Sequence, residues 1–157
     1  MMKELWETFL PAKADNTIRG IKLPFYGFIL IAVIGTVRSF IHVLSPDGGA
    51  GSIAGMDLSG SGASGIIFTF AQWGGTQLIY ALIQWLVVLR YRSLVPLMWA
   101  VQFLETLLRV VDGHIKPVTF AHTPPGAIQN YIYLPLALLM LSLALWSAQK
   151  QEAVKSS

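Results

Sequence analysis

Four long apolar runs separated by short polar stretches set the pattern of this chain. A helix needs about 20 largely apolar residues to cross a hydrocarbon core of roughly 30 Å. The runs at about 24–44, 64–89, 94–111 and 128–148 are each long enough for such a span. Pro24 suits a helix start, because the first turn leaves its missing N–H unpaired anyway. The pattern predicts an all-α, polytopic membrane protein, a four-transmembrane-helix bundle. An N-terminal cytoplasmic or interfacial segment (1–23) precedes the helical domain (24–148), and a cytoplasmic tail (149–157) follows it.

Orientation follows from where lysine and arginine fall, since cytoplasmic loops hold an excess of both. Lys13, Arg19 and Lys22 precede the first run, and the stretch Ser45 to Ala63 after it holds neither residue. Arg90 and Arg92 sit in the tight turn between the second and third runs. Lys116 is alone in the next loop, and Lys150 and Lys155 lie in the tail. The alternation predicts both termini and the Arg90–Arg92 turn on the cytoplasmic side. Trp85, Tyr91 and Trp146 would then mark the inner interface, with Tyr131 and Tyr133 at the outer one. Some two dozen mostly polar residues ahead of the first run argue against a cleavable signal. Leu5, Trp6, Phe9 and Leu10 share one short amphipathic face suited to the bilayer surface, a frayed tail being the alternative.

Composition agrees with this class. Apolar residues are 54% of the chain and charged ones only 12%, too few to solvate a globular surface of this size. The net charge of +3 follows the topology, and no basic run with interleaved aromatics offers a nucleic-acid surface. There is no cysteine, which removes thiol redox chemistry, thiolate metal sites and disulfides. The glycine-rich stretch after the first run contains Gly49-x-Gly51, but no strand precedes it and no βαβ unit follows. It reads as a flexible connector with one interfacial turn, a re-entrant segment being the alternative.

Inside the spans the polar residues carry the information. Ionisable groups at membrane depth are costly, so they face a bundle interior and mark a site or an ion network. Gln102, Glu105, Arg109 and Asp112 follow one another at spacings of three, four and three, which places them on one helical face. At a rise of about 1.5 Å per residue, Glu105 lies near mid-membrane, with Arg109 and Arg38 some 6 Å further out. His42 is one turn beyond Arg38, and Gln72, counted from the outer end of its run, falls in the same slab. Arg38, His42, Gln72, Gln102, Glu105, Arg109 and Asp112 therefore form the candidate ligand-binding layer. Two arginines against one carboxylate leave local positive charge, which favours an anion. Gln77, Tyr80 and Gln84 share a face of the second span, suited to bonding between helices more than to lining a pore. Gly74 and Gly75 offer a place for close helix approach.

No Gly-x-Ser-x-Gly and no His-Glu-x-x-His occurs, so no catalytic residue is assigned. The metal alternative rests on His42, His114 and His122, all on the outer side, but no pair has motif spacing and no metal or cofactor is expected. The stretch Leu104-Glu-x-x-x-Arg-x-x-Asp-Gly-x-x-x-Pro117, with the glycines of the second span, resembles a pattern in small four-helix bacterial membrane proteins of unknown function. The likeness covers roughly the last hundred residues. It implies a four-span fold in a bacterial inner membrane and no particular activity.

Three functions follow, in this order. The first is a non-catalytic accessory or structural subunit of a membrane assembly, or a small homo-oligomer, with lipid and other membrane subunits as partners. The second is binding or transport of a small anionic solute or lipid headgroup at the Arg38/Glu105/Arg109 layer. The third is an intramembrane enzyme using Glu105 as acid or base.

Overall fold

The computed structural model describes residues 2–155, with side chains described over 5–146. Helix α1 (Met2–Phe9) is short, and four long helices follow: α2 (Leu23–Leu44), α3 (Ala63–Arg90), α4 (Val95–Ile115) and α5 (Pro125–Lys155). A single 3₁₀ turn, Arg92–Leu94, joins α3 to α4. All four long helices contain a stretch long and apolar enough to cross a membrane. Among the described residues there is no strand. The α3–α4 turn defines one end of the bundle, the turn end, and the long connections after α2 and α4 define the loop end.

Proline opens three of the four long helices, at Pro24, Pro96 and Pro125. Each occupies the first turn, where a backbone N–H has no helical acceptor. Two boundaries differ from the hydropathy pattern. Helix α4 runs four residues past Val111, to Ile115, and α5 begins at Pro125 rather than near Ile128. Polar Asp112, Gly113 and His114 end an apolar run without ending a helix, and a Pro-Pro-Gly sequence that reads as loop supplies a first turn instead. Helix α5 also continues through Lys155, so the segment predicted as a separate tail from residue 149 is helical.

Consecutive helices pack as neighbours, α2 against α3 and α4 against α5, with α2 also touching α4 and α5. The closest approach is at Gly74. A Cβ there would lie 2.5 Å from the His42 Cβ and 3.2 Å from the Ser39 carbonyl oxygen, so only glycine lets α3 lie this close to α2. A Cβ at the neighbouring Gly75 would meet nothing within 4 Å.

The turn-end half of the bundle is apolar. Phe25, Phe28, Ile31, Val87, Met98, Trp99 and Met140 pack there, with the Phe28 and Trp99 rings edge to face at 6.0 Å. Trp99 is 1% exposed, and its indole Nε1 donates to the Pro24 carbonyl at 2.9 Å, so even its polar atom is satisfied. Trp85, read from sequence as an interfacial residue, is half-buried and donates to Thr36 Oγ1 at 2.9 Å, tying α3 to α2.

The N-terminal segment docks on the turn end. Helix α1 packs against α4 and α5, Thr8 is buried and Trp6 points outward. The Ser93 N–H donates to the Asp15 carbonyl at 3.2 Å, and the Asp15 N–H donates to Ser93 Oγ at 2.9 Å. Arg19 donates to the Glu7 carbonyl at 2.7 Å. Residues 10–22 thus run as a strap across the α3–α4 turn.

Candidate functional site: a polar layer beneath a loop-end chamber

Above the apolar half the four long helices turn polar side chains on one another. Helix α2 contributes Arg38 and Ser39, and α3 contributes Gln77, Tyr80 and Gln84. Gln102, Glu105 and Arg109 come from α4, and Gln129 and Tyr133 from α5. Together they line a cavity of about 40 Å³. One water occupies about 10–15 Å³ on this measure, so the space is of hydrated rather than ligand size.

Helical spacing explains the α4 contribution. Arg109 Nη2 donates to Glu105 Oε2 at 2.6 Å, an i,i+4 pair with the acid N-terminal. Gln102 Nε2 donates to the same carboxylate oxygen and to Thr106 Oγ1, both at 3.2 Å. Two turns of α4 therefore pair Glu105 internally, with Arg109 Nε left over. The ion pair is half-buried, with side-chain exposures of 18% for Arg109 and 35% for Glu105.

Arg38 stands differently. Its Nε donates to His42 Nε2 at 3.3 Å, its Nη1 donates to Gln129 Oε1 at 3.1 Å, and its guanidinium lies 4.7 Å from the centre of the Trp73 ring. All three partners are uncharged in this arrangement. No carboxylate lies within 4.0 Å of Arg38 among the described residues. His42 Nδ1 faces the Gly48 carbonyl at 2.7 Å, which assigns the proton to Nδ1 and leaves Nε2 to accept from Arg38. Two polar atoms of this lining, Arg109 Nε and Tyr133 OH, are buried without a hydrogen-bond partner among the described residues, as is Asn130 Oδ1 of α5. Buried polar groups are rarely left so, and each is capacity for a bound species.

A second cavity, of about 350 Å³, lies over this layer at the loop end. Arg38, His42, Arg109 and Gln129 reach it from below. Its sides are mostly apolar, formed by α2, α3, the start of α5 and the two loops. Arg109 also borders a third cavity, of about 290 Å³, that includes Lys116 and Tyr131.

The loop forming part of the wall is built, not loose. Asp47 accepts from the Gly49, Gly51 and Ser52 N–H groups at 2.8, 3.1 and 2.6 Å, and from Ser52 Oγ. Ala50 and Ala54 are buried, the Gly55 carbonyl accepts from the Ala121 N–H, and His122 Nε2 meets the Ile53 carbonyl at 3.1 Å. Gly55 has φ +71°, and a Cβ there would meet the His122 ring at 2.7 Å. The expectation of a flexible connector is therefore corrected. Two loops far apart in sequence hold each other, which no local pattern reveals. The Ser52 and Gly49 N–H groups hold the Asp47 carboxyl down at about 2. Its folded value lies below the unfolded one, so its contribution is present above about pH 4 and is lost as pH falls toward 2. Asp47→Ala is expected to raise amide exchange over residues 48–54 by at least tenfold, as read by mass spectrometry, with exchange in α4 unchanged.

Of the seven residues proposed from sequence, Arg38, Gln102, Glu105 and Arg109 line the polar layer, and His42 lines the chamber above. Gln72 and Asp112 do not join them. Gln72 is exposed on the far side of α3, beside Thr69 and Thr76. Helix α3 has 28 residues, about 42 Å, and so exceeds the hydrocarbon core. Measured from the turn end, Gln77 rather than Gln72 reaches the depth of Arg38. Asp112 lies beyond the layer, exposed in the last turn of α4.

Beyond those seven, Ser39 of α2 and, on α5, Gln129 and Tyr133 also line the layer. The spacing of four between Gln129 and Tyr133 on one face of α5 is the available signal, and Tyr133 was read as an interfacial aromatic instead. The three histidines do not meet. His42, His114 and His122 each engage a different backbone carbonyl, and no three potential metal ligands cluster among the described residues. Comparison with protein-family models, with curated proteins and with solved structures gave no match.

Proposed function

We propose that the chain is a multi-pass inner-membrane protein that binds a small anionic species at the Arg38/Glu105/Arg109 layer, taken up from the loop end. The observation that carries this is Arg38, a guanidinium at membrane depth whose close partners are all neutral. In low dielectric an uncompensated charge is costly, and an incoming anion relieves that cost. Tyr133 OH and Arg109 Nε add donors that have no hydrogen-bond partner among the described residues. The packed half around Phe28, Trp99 and Met140 closes the layer toward the turn end, which suits a binding site open on one side better than a continuous pore.

The lysine and arginine distribution supports a periplasmic loop end, with the N-terminal strap and α3–α4 turn facing the cytoplasm. The second reading, a subunit of a larger assembly, is favoured by α3. That helix leans mainly on α2 and leaves Phe68, Ile79, Leu82, Leu86 and Leu89 each more than half exposed.

Native mass spectrometry of the gently extracted protein separates the two. A bound anion that disappears in Arg38→Gln, with the folded protein otherwise unchanged, is the expected result. Stoichiometric partner polypeptides and no Arg38-dependent adduct would favour the subunit reading.

A further inference from the structure

Resting on that reading, we infer that the 350 Å³ chamber takes a small organic monoanion with an apolar body, such as an aryl or short alkyl carboxylate, its charged end toward Arg38. The floor and the walls are of opposite chemistry. Arg38 and Arg109 form the floor, whereas Ile41, Ile53, Phe70 and Trp73 are among the residues forming the walls. Arg109 is already engaged by Glu105, so one unit of positive charge, on Arg38, is left for a ligand.

A second positive feature meets it there. Helix α5 begins at Pro125, and Pro125, Gly126 and Ala127 all line the chamber. The N-terminus of a long helix bears partial positive charge and favours a carboxylate through its dipole, the Ala127 and Ile128 N–H groups themselves donating to the Pro124 carbonyl. Gly126 is what lets Arg38 lie against this turn, since a Cβ would stand 3.1 Å from Arg38 Nη2. The nearby acids do not neutralise the floor further. Glu105 is spent on Arg109, and the Asp47 carboxylate is turned into its own loop.

Polarity and size select the occupant. A phospholipid in the loop-end leaflet holds its headgroup at the interface and its chains inward. The chamber is the other way up, with charge at its depth and apolar walls toward the loops. Its volume is at the small end of the range for compact organic ligands. Inorganic phosphate needs donors on every side, and the apolar walls supply few. A ring or short chain between Phe70, Ile41 and Ile53 gains from the area that it removes from water.

The test is isothermal titration of the detergent-purified full chain with benzoate, acetate and inorganic phosphate. Benzoate is expected to bind at least tenfold more tightly than acetate. It should weaken at least tenfold in Arg38→Gln, and equally in Ile53→Asp, which puts a negative charge on the wall at a residue 38% exposed and so tolerant of change. Acetate or phosphate binding as well as benzoate, and still depending on Arg38, overturns the apolar-body inference while leaving the anion layer standing. No Arg38-dependent binding of any of the three overturns both. Repeating the benzoate titration in nanodiscs of phosphatidylglycerol and of phosphatidylcholine separates the lipid source. At about 1 M salt, where repulsion of benzoate by the anionic bilayer is screened, equal affinities are expected, and a tenfold loss in phosphatidylglycerol would assign the chamber to a lipid headgroup instead.

Discussion

Gly74→Ala is expected to destabilise the bundle by about 1–3 kcal/mol, the usual cost of forcing added volume into a packed contact. The single added carbon would stand 2.5 Å from the His42 Cβ, with backbone atoms of Ser39 and His42 at 3.2 Å. Backbone cannot swing aside as a side-chain tip can, so α2 and α3 must separate. Separation also moves Trp73 of α3 away from Arg38 and His42 of α2, so anion binding falls along with stability. Gly75→Ala is the internal control. Its Cβ meets nothing, and alanine in a helix interior is favoured over glycine by up to about 1 kcal/mol. Thermal unfolding in mild detergent should show the Gly74 variant well below the parent and the Gly75 variant level with it or above. Equal effects at the two positions would contradict the close approach.

Glu105→Gln is the second large effect. The carboxylate is the one close counter-charge of Arg109 among the described residues. Removing one partner of a fully buried pair costs about 3–5 kcal/mol. Glu105 keeps 35% of its exposure, and exposed pairs contribute less than about 1 kcal/mol, so about 1–3 kcal/mol is expected. The loss should be largely reversed in Glu105→Gln/Arg109→Gln, because deleting both charges leaves neither stranded. A double variant less stable than the single one would show that Arg109 has another essential partner. Gln102 and Arg109 both donate to the same Glu105 oxygen, so the double-mutant cycle should show strong coupling.

These residues also show what the sequence held. Four helices were legible because solvation by lipid forces long apolar runs, and Gln102, Glu105 and Arg109 were legible because spacing along one helix fixes their shared face. Arg38 was placed at the right depth by counting residues from the inner end of its span. The same count failed for Gln72, because α3 is longer than the hydrocarbon core and its outer end is a poor reference point. Facing direction between helices was harder still. Gln129 and Tyr133 belong to the layer through the rotation of α5, which follows from packing against α2 and α4 rather than from any local signal. Gly74 and Gly75 looked equivalent in sequence, yet one lies on α2 and the other on open space. The loop over the chamber was least legible, since contacts such as His122 with Ile53 join residues 69 positions apart.

The central claim is a net-positive layer that is open to the loop end and closed toward the turn end. Two cysteines, introduced singly into this cysteine-free chain, test it on one helix. Ala127→Cys lines the chamber, and Ala137→Cys lies in the packed half, where the native side chain is fully buried. In oriented vesicles, a small anionic methanethiosulfonate should label Ala127→Cys from the loop-end side faster than a cationic reagent of the same size, and should leave Ala137→Cys unlabelled from either side. Preference for the cationic reagent, or reaction of Ala137→Cys from the turn-end side, would contradict the account.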